Sequence, residues 1–557
     1  MKTRTGPHSE QPRDSRGLGL GRTQVSISSW IPGVLGLSLA LAAPALAQKT
    51  VYIPQFVTRD GVDVTKPDGQ WSNSRKMETD NYVIFWEPGF GSDPSTATGS
   101  YRVDMEALKK VAEHSFAVNV DTLKMVLKGS SKVDKHKQMI FLLYQTEWAA
   151  YGSGQDETVG TLHVNPAAAN IPNVLAHEIG HCFQYMTGAD VRGAGYRWGF
   201  GTNGAGGNGY WEQMAQWAAF QAYPATQFTE GDFGNYLRSH HLHILHEAPR
   251  YANYFLGDWW AYKRGLDFQG KLWRGAKAYE DPVDTYHRLT GVDQETFNDE
   301  MWEHGARLTT WDLPRIKARG ANFIDRRAQP KLNGGNGTWT IDSSVAPENY
   351  GYNSIKLNAP ANAATVRVTF RGLAGTAGFR SLNVSKGGWR FGFVALLKDG
   401  TRVYSQVARP KMTGTTNPVL SMDFDVPANC SKLWLVVSGA PQELWHHVWD
   451  DNNANDEQWP YQVTFANTNL LGQANMPPPT GVEARTQTVA AGLRIAGGRV
   501  QLEGEGVTAD LVDVRGQVQV RLDQGNRSAT LASLPKGVVL ARVIHADGTR
   551  SVRTILR

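Results

Sequence analysis

The stretch that decides the fold is Val174-Leu175-Ala176-His177-Glu178-Ile179-Gly180-His181, in which two histidines stand four residues apart. Its pattern predicts a helix, and residues i and i+4 of a helix share one face. His177 and His181 can therefore present two imidazoles to one metal ion. Glu178 projects beside that face, within reach of a water at the metal. The spacing predicts a metal site, and an accidental match in an ordinary helix is the alternative.

A tetrahedral catalytic zinc site needs a third protein ligand and leaves one position open. No third histidine follows closely, and the best candidate is Glu212, in the aromatic, helical stretch 210–217 that follows a glycine-rich loop at 199–209. A carboxylate in such a helix would be costly to bury unpaired, which a metal partner would explain. The alternative is an ordinary salt-bridged glutamate, with Glu230 and Glu247 as fallback ligands.

These parts predict peptide hydrolysis by metal-activated water, with one catalytic Zn²⁺ as cofactor and Glu178 as the general base. The tetrahedral oxyanion needs a further donor, for which we favour Tyr254, with Tyr251 as its alternative. Either tyrosine alone would also be compatible with a packing role. The histidine-rich stretch 240–246 suggests a second metal, and solvated helix histidines are the alternative.

A short strand precedes the metal helix at 160–165. An extended peptide can pair with the edge of such a strand through main-chain hydrogen bonds. This interpretation makes Gly160, Leu162 and Val164 candidate substrate-binding residues. An ordinary sheet strand is the alternative.

The first 47 residues have the pattern of a secretory signal peptide with a long basic leader. Arginines precede an apolar run from Ile31 to Ala43, and Ala45-Leu46-Ala47 forms a small-x-small cleavage signal. The alternative is an N-terminal membrane anchor, but the run is short and interrupted for a span. We therefore expect a secreted, extracellular protein that is exported through the periplasm and is not held in a membrane after cleavage.

Charge and cysteine content limit the partners of the mature chain. Residues 1–47 contain five Lys/Arg and two Asp/Glu, so the net charge of +5 falls to +2 after cleavage. A nearly neutral protein gives no charge-based case for nucleic-acid binding. The two cysteines, Cys182 and Cys430, are far apart in sequence, and we expect them to remain reduced. We expect a monomer.

A chain of 557 residues is too long for one hydrophobic core, so several domains are expected. Strand and helix patterns alternate over 48–328, which predicts an α+β domain around the metal helix. Short alternating runs over 329–474 predict a β-sandwich accessory domain. A Pro-rich linker follows at 475–480, and 481–557 is again all-β in pattern, as in a small C-terminal β-sandwich domain.

His177–His181 with a downstream Glu212 resembles the gluzincin class of zinc peptidases. The extended form His177-Glu178-Ile179-Gly180-His181-Cys182-Phe183-Gln184 is also similar to the enhancin-like, mucin-cleaving gluzincins. Many gluzincins place an acidic residue four positions after the glutamate ligand, where this chain has Gln216. This departure concerns the groups that orient the metal ligands.

Over most of the mature chain the closer resemblance is to the Svx/AvrXca-type secreted proteins of plant-associated bacteria. It is carried by the metal helix, by Tyr210-Trp211-Glu212, and by the stretch from Trp449-Asp450-Asp451-Asn452-Asn453 to Trp459-Pro460-Tyr461. The resemblance implies a zincin-like catalytic domain followed by two all-β domains, and a secreted gluzincin associated with virulence. It also implies protein or glycoprotein substrates of the host, such as those of the cell wall.

The expected β-region carries two further candidate sites. An oxygen-rich loop suited to Ca²⁺ comprises Asp450, Asp451, Asn453, Asn455 and Asp456, although it lacks the glycine and glutamate of an EF-hand. A solvated acidic turn is the alternative. The aromatic residues able to stack on sugars are Trp445, Trp449 and Trp459, and buried core positions are the alternative.

One function from another class competes with the peptidase. It is a catalytically inactive carbohydrate- or host-surface-binding protein on a peptidase-like scaffold. The intact Glu178 favours the enzyme, because a pure scaffold has no chemical need for a general base. Glycoside hydrolysis would require paired carboxylates, which the sequence does not reveal.

Overall fold

A computed structural model describes residues 48–59, 61–191, Trp198 and 209–478, and in the C-terminal segment 493–496, 499–502, 507–513, 517–534, 538–544 and 550–556. The expected signal peptide, nearly all of the glycine-rich loop and the end of the Pro-rich linker lie outside these residues. Within the described part of the chain, no helix combines the length and the apolarity needed to cross a membrane.

A mixed five-stranded sheet forms the base of the N-terminal region, in the order β1-β2-β3-β5-β4. Its strands are β1 (Lys76–Glu78), β2 (Tyr82–Trp86), β3 (Gln138–Leu142), β4 (Ala150–Gln155) and β5 (Val159–Val164). The three inner strands are parallel, and the two outer strands pair antiparallel with them. The inner strands β2 and β3 are buried at every position, because both faces of the sheet are covered.

Eleven α-helices lie within the described residues. They are α1 (Gln55–Thr58), α2 (Met105–Ala117), α3 (Pro166–Ala169), α4 (Pro172–Asp190), α5 (Tyr210–Ala222), α6 (Gly231–Ser239), α7 (Phe255–Arg264), α8 (Phe268–Gly275), α9 (Pro282–Thr290), α10 (Gln294–Leu308) and α11 (Lys317–Gly320). Helix α4 contains the His177–His181 stretch and begins with a proline at its first turn, where the missing N–H costs nothing. It packs against α2, α5, β4 and β5.

Glycines allow α4 to lie unusually close to the sheet. A Cβ atom at Gly152 of β4 would be 1.9 Å from the carbonyl oxygen of Glu178, and one at Gly154 would be 2.0 Å from the ring of Tyr185. A Cβ atom at Gly152 would clash with the backbone of α4, and one at Gly154 would require the ring of Tyr185 to move. The backbone of β4 therefore passes directly beside the helix that carries the predicted metal ligands.

The next region is a β-sandwich of a four-stranded sheet, β11-β10-β13-β8, and a five-stranded sheet, β12-β9-β14-β7-β6. Its strands are β6 (Leu332–Gly335), β7 (Thr338–Ile341), β8 (Tyr352–Leu357), β9 (Ala364–Gly372), β10 (Trp389–Leu397), β11 (Arg402–Tyr404), β12 (Val419–Val426), β13 (Cys430–Gly439) and β14 (Tyr461–Ala466). The outer face of the four-stranded sheet packs on α10, where the indole N–H of Trp302 donates to the carbonyl oxygen of Val436 at 3.1 Å. The helical region and the sandwich therefore share an apolar core.

The C-terminal segment contains two antiparallel sheets, ordered β15-β16-β19 and β18-β17-β20-β21. Its strands are β15 (Leu493–Ala496), β16 (Arg499–Leu502), β17 (Thr508–Val512), β18 (Val518–Leu522), β19 (Ser528–Thr530), β20 (Val538–Ile544) and β21 (Arg550–Leu556). They enclose an apolar cluster of their own. The expectation of a multidomain protein with mixed helices and several β-sheets is confirmed.

A buried polar cluster joins the helical region to the sandwich. The imidazole of His447 lies between two carboxylates, with Nε2 at 2.7 Å from Glu247 Oε2 and Nδ1 at 3.2 Å from Asp456 Oδ1. Burial acts to lower the pKa of His447, but the surrounding carboxylates outweigh it and raise this pKa above 6.5. Burial acts to raise the pKa of Glu247, but its hydrogen bond with His447 prevails and lowers that pKa from 4.5 to about 2. The other titratable or charged groups around this cluster include His243, His246, Glu348, Arg380 and Glu457, and burial raises the pKa of Glu457 to about 7.

We predict that this cluster makes stability depend on pH. The raised pKa of His447 gives stability that is complete below pH 6.5 and is lost as the pH rises through the folded-state value. The lowered pKa of Glu247 gives stability that is complete above pH 4.5 and is lost on strong acidification. Replacing His447 by Gln should therefore cost most between pH 4.5 and 6.5, about 3 kcal/mol of unfolding free energy.

The measurement is thermal unfolding of the wild type and His447→Gln across pH. The control is His114→Gln, since a ring nitrogen of His114 contacts only a backbone carbonyl, at 3.1 Å. A difference between wild type and His447→Gln that does not shrink as the pH rises would contradict the assignment.

Candidate metal centre

Helices α4 and α5 bring the three predicted ligands together. His177 Nε2 and His181 Nε2 are 3.0 Å apart, and each lies 3.1 Å from Glu212 Oε2. Both imidazoles are buried, whereas Glu212 keeps 22% of its side chain exposed. One side of the group is therefore open to a ligand from solution.

Two glutamine side chains orient the imidazoles. Gln216 Oε1 lies 2.8 Å from His177 Nδ1, and Gln184 Oε1 lies 2.8 Å from His181 Nδ1. The Gln184 amide is oriented in turn, because its Nε2 donates to the carbonyl oxygen of Trp211 at 2.9 Å. An amide oxygen only accepts, so each Nδ1 carries the proton and each Nε2 keeps its lone pair for a metal.

Neighbouring charges and hydrogen bonds shift the pKa values of Glu212 and His181. Burial acts to raise the pKa of Glu212, but hydrogen bonds and charge from the two imidazoles prevail and hold it below 4.5. Burial acts to lower the pKa of His181, but the carboxylates of Glu212 and Glu178 prevail and raise it. Two imidazoles and one carboxylate suit zinc, and bond lengths of about 2.0–2.1 Å place tetrahedral ligand atoms roughly 3.3 Å apart, close to the spacing here.

Glu178 lies beside the ligands, between α4 and the sheet. Its Oε2 accepts a hydrogen bond of 2.6 Å from the backbone N–H of Gly152 in β4. The side chain is buried, yet it interacts electrostatically with both His181 and Tyr251. This is the placement expected for a base that serves the same site as the ligands.

The prediction that β5 receives an extended substrate at its edge is wrong. Strand β5 is an inner strand, because residues 150–155 fold back and cover its open side as β4. Gly160 donates its N–H to Gln138 Oε1 at 2.7 Å, and Leu162 and Val164 are fully buried. The edge of the sheet on this side is β4, where Tyr151 is 53% exposed.

Tyr254 does not reach the ligands either. It is fully buried against Phe220 and Phe255, and its hydroxyl donates to the carbonyl oxygen of Gln227 at 2.7 Å. The alternative, Tyr251, lies at the site. Its ring is 5.9 Å from that of His177, and the side chain is half-exposed.

The fallback ligands lie elsewhere. Glu230 is the N-cap residue of α6, and Glu247 belongs to the cluster around His447. That cluster contains enough histidines and carboxylates for a second metal. However, His246 Nδ1 accepts from the N–H of Ala248 at 3.0 Å, so its Nε2 carries the proton and cannot bind a metal as a neutral imidazole. In this cluster His447 is hydrogen-bonded to Glu247, and His246 Nε2 lies 3.5 Å from Asp456 Oδ2.

In the oxygen-rich loop, Asp450 is hydrogen-bonded to other residues of the same loop. Asp450 accepts from the N–H of Asn452 and from the side-chain amide of Asn455, at 3.0 and 2.7 Å. Asp456 faces His447. Of the tryptophans, Trp459 is a buried core residue that Trp445 packs against, while Trp449 is only partly buried.

Sequence reasoning gave Gln184 no role and treated Gln216 only as a departure from the gluzincin pattern, whereas both contact the predicted histidine ligands. Gln184 follows His181 by three positions and Gln216 follows Glu212 by four, so both lie on the ligand faces of their helices. That spacing was a usable signal. The alternation of glycines in Tyr151-Gly152-Ser153-Gly154 was another, because one bare face of a strand indicates close packing.

Similarity to solved structures is weak. The C-terminal family 22 carbohydrate-binding module of Clostridium thermocellum Xyn10B is 11% identical, with 26% of this chain and 83% of that chain covered and a TM-score of 0.16. The CBM22-2 xylan-binding domain of Paenibacillus barcinonensis Xyn10C is 13% identical, with 26% and 89% covered and a TM-score of 0.17. Scores of this size do not establish a shared fold.

No curated protein matches the chain. Residues 43–472, well over half of the sequence, match the model of a family described as a family of unknown function. The matched range includes the ligand helices and the sandwich. The chain belongs to this family, DUF6055.

Proposed function

We propose that the protein is a secreted zinc-dependent endopeptidase of the gluzincin type, with a zincin-like catalytic domain over 48–328. The observation that carries this proposal is the convergence of His177 Nε2, His181 Nε2 and Glu212 Oε2 within 3.1 Å, with both Nδ1 protons held by glutamine oxygens. Secretion rests on the leader pattern of residues 1–47. Extracellular proteins, including host cell-wall and glycosylated proteins, are the proposed substrates.

The two histidines and Glu212 would hold zinc, which when bound supplies a Lewis acid at the exposed side of the group. Glu178 acts as the general base. Its carboxylate takes the proton of the attacking water and passes it to the leaving amine. The N–H of Gly152 holds one carboxylate oxygen in place, so the other oxygen is the one that exchanges the proton.

Tyr251 is the proposed donor to the oxyanion. Its half-exposed ring lies against His177, and burial together with the charge of Glu212 raises the pKa of its hydroxyl, which keeps the donor proton in place. Strand β4 is the proposed binding edge for the substrate backbone, since it is the outer strand beside Glu178.

We predict that Glu178→Gln binds one zinc per chain and loses activity by a factor of about 10² to 10⁴, because the amide cannot accept the proton. The measurement combines zinc content with digestion of an unfolded protein and a glycosylated protein. Glu106→Gln, on the exposed side of α2, is the control and should cleave normally.

Each other result has a definite meaning. Cleavage by Glu178→Gln at the wild-type rate would remove Glu178 from the mechanism. Zinc bound without any cleavage by the wild type would favour the alternative, an inactive binding protein. A wild type that binds no zinc would refute the ligand assignment.

A second prediction concerns Gln216. In Gln216→Met the Nδ1 proton of His177 loses its acceptor, so zinc affinity should fall by about 10- to 100-fold. Gln216→Glu keeps an acceptor at this position and should retain the affinity. Competition with a chelator of known affinity measures this, with circular dichroism as a test of folding.

The control for this series is Gln221→Met, on the same helix but hydrogen-bonded to Trp217 and Arg315 rather than to a ligand. Equal zinc affinity in Gln216→Met and the wild type would show that Gln216 does not orient His177.

A further inference from the structure

One cation beside the candidate metal centre has no acidic partner among the described residues. The guanidinium of Arg250 lies near two aromatic rings, with its carbon 5.6 Å from the ring centre of Tyr251 and 5.5 Å from that of Trp449. Its Nη1 donates to the carbonyl oxygen of Glu247 at 3.0 Å. No carboxylate oxygen of the described residues forms an ion pair with it. The sequence between Val191 and Gly209 also contains no aspartate or glutamate.

Two other arginines at the junction between the helical region and the sandwich are paired with carboxylates, whereas the buried Arg327 donates to the carbonyl oxygen of Leu308 and the hydroxyl of Tyr352. Arg390 contacts Glu295 and Asp299, each at 2.6 Å, and Arg380 contacts Glu348 at 2.6 Å. A guanidinium has five N–H donors along its edge, of which the Glu247 carbonyl and the Tyr251 hydroxyl take two and the others can contact a ligand. That edge is suited to a carboxylate, which two parallel N–H···O bonds can bind.

The position of Arg250 is held by both regions of the protein. Tyr251 also lies against His177, so only the side chain of Tyr251 separates the guanidinium from a predicted metal ligand. The second ring near Arg250, that of Trp449, belongs to a loop of the sandwich. Its loop is fastened to the helical region where the N–H of Asp451 donates to Glu247 Oε1 at 2.8 Å. The sandwich therefore forms part of the wall of the site.

We propose that Arg250, which lies near the rings of Tyr251 and Trp449, is a specificity-determining residue that binds an aspartate or glutamate side chain of the substrate close to the scissile bond. This inference rests on the proposed peptidase function and names the class of its substrate, an acidic peptide. A single unpaired cation matches a single carboxylate, and the planar edge matches its shape.

The test uses the full-length, zinc-loaded protein and a set of peptides in which one glutamate is moved through an otherwise uncharged sequence, with glutamine versions as matched partners. The wild type should cleave at a fixed distance from the glutamate, with kcat/KM about tenfold or more above that of the glutamine partner. Arg250→Gln should bring this ratio close to one. Arg250→Glu should reverse it in favour of a lysine at the same position.

Two further variants sharpen the assignment. Trp449→Leu removes one of the two rings near Arg250 and leaves the charge of Arg250 in place. It should lower the ratio of kcat/KM for the glutamate peptide to that for its glutamine partner. Arg499→Gln removes an exposed guanidinium from the C-terminal segment and should leave the ratio unchanged.

A second readout separates this inference from the proposed function. Fluorescence anisotropy of labelled peptides with zinc-loaded Glu178→Gln measures binding without cleavage, and the glutamate peptide should bind more tightly unless Arg250 is also replaced. Cleavage without a preference for glutamate, or an equal loss for all peptides in Arg250→Gln, would overturn the inference and leave the peptidase standing. If nothing is cleaved, the peptidase proposal fails, and equal binding of the glutamate and glutamine peptides would overturn the inference as well.

Discussion

The close approach of α4 and α5 is the constraint on which the candidate metal centre depends. A Cβ atom at Gly180 would lie 3.1 Å from the Cα atom of Ala215, so only glycine allows the two helices to pass at this distance without a shift of one of them. The ligand histidines stand on one side of this contact, and Glu212 with Gln216 stands on the other. The 3.1 Å distances from Glu212 to the two histidines and the 2.8 Å contact between Gln216 and His177 depend on that approach. On its other side, α4 packs closely against the sheet at Gly152 and Gly154 of β4.

The β-sandwich is part of the architecture of the site. Its four-stranded sheet packs on α10, and the buried contact of His447 with Glu247 joins its long loop to the segment that precedes Tyr251. Burying such charges is costly unless they are paired, so the network stabilises one particular placement of the loop. This placement brings Trp449 onto Arg250. Arg250 and Tyr251 thus depend on a region about two hundred residues away in sequence.

Two errors of sequence interpretation share one cause. Strand β5 has the apolar pattern of a strand beside the metal helix, but a pattern does not say which strand lies at the edge, and residues 150–155 decide that by folding back. Tyr251 and Tyr254 are three positions apart and cannot be distinguished by composition. The chain buries Tyr254 among phenylalanines and leaves Tyr251 facing His177. In both cases the deciding contact is made by residues distant in sequence.

The sequence alone predicts the features that depend on the spacing of residues within one helix or one strand. The helical repeat places His177 and His181 on one face of a helix with Glu178 beside it. The cost of burying an unpaired carboxylate suggests Glu212 as the third ligand. Strand periodicity likewise indicated the two all-β regions. The tertiary contacts establish which imidazole nitrogen is free, which strand forms the edge, which tyrosine faces the predicted ligands and that Arg250 has no acidic partner among the described residues. These properties depend on the packing of separate elements against each other, for which local sequence carries no periodic signal.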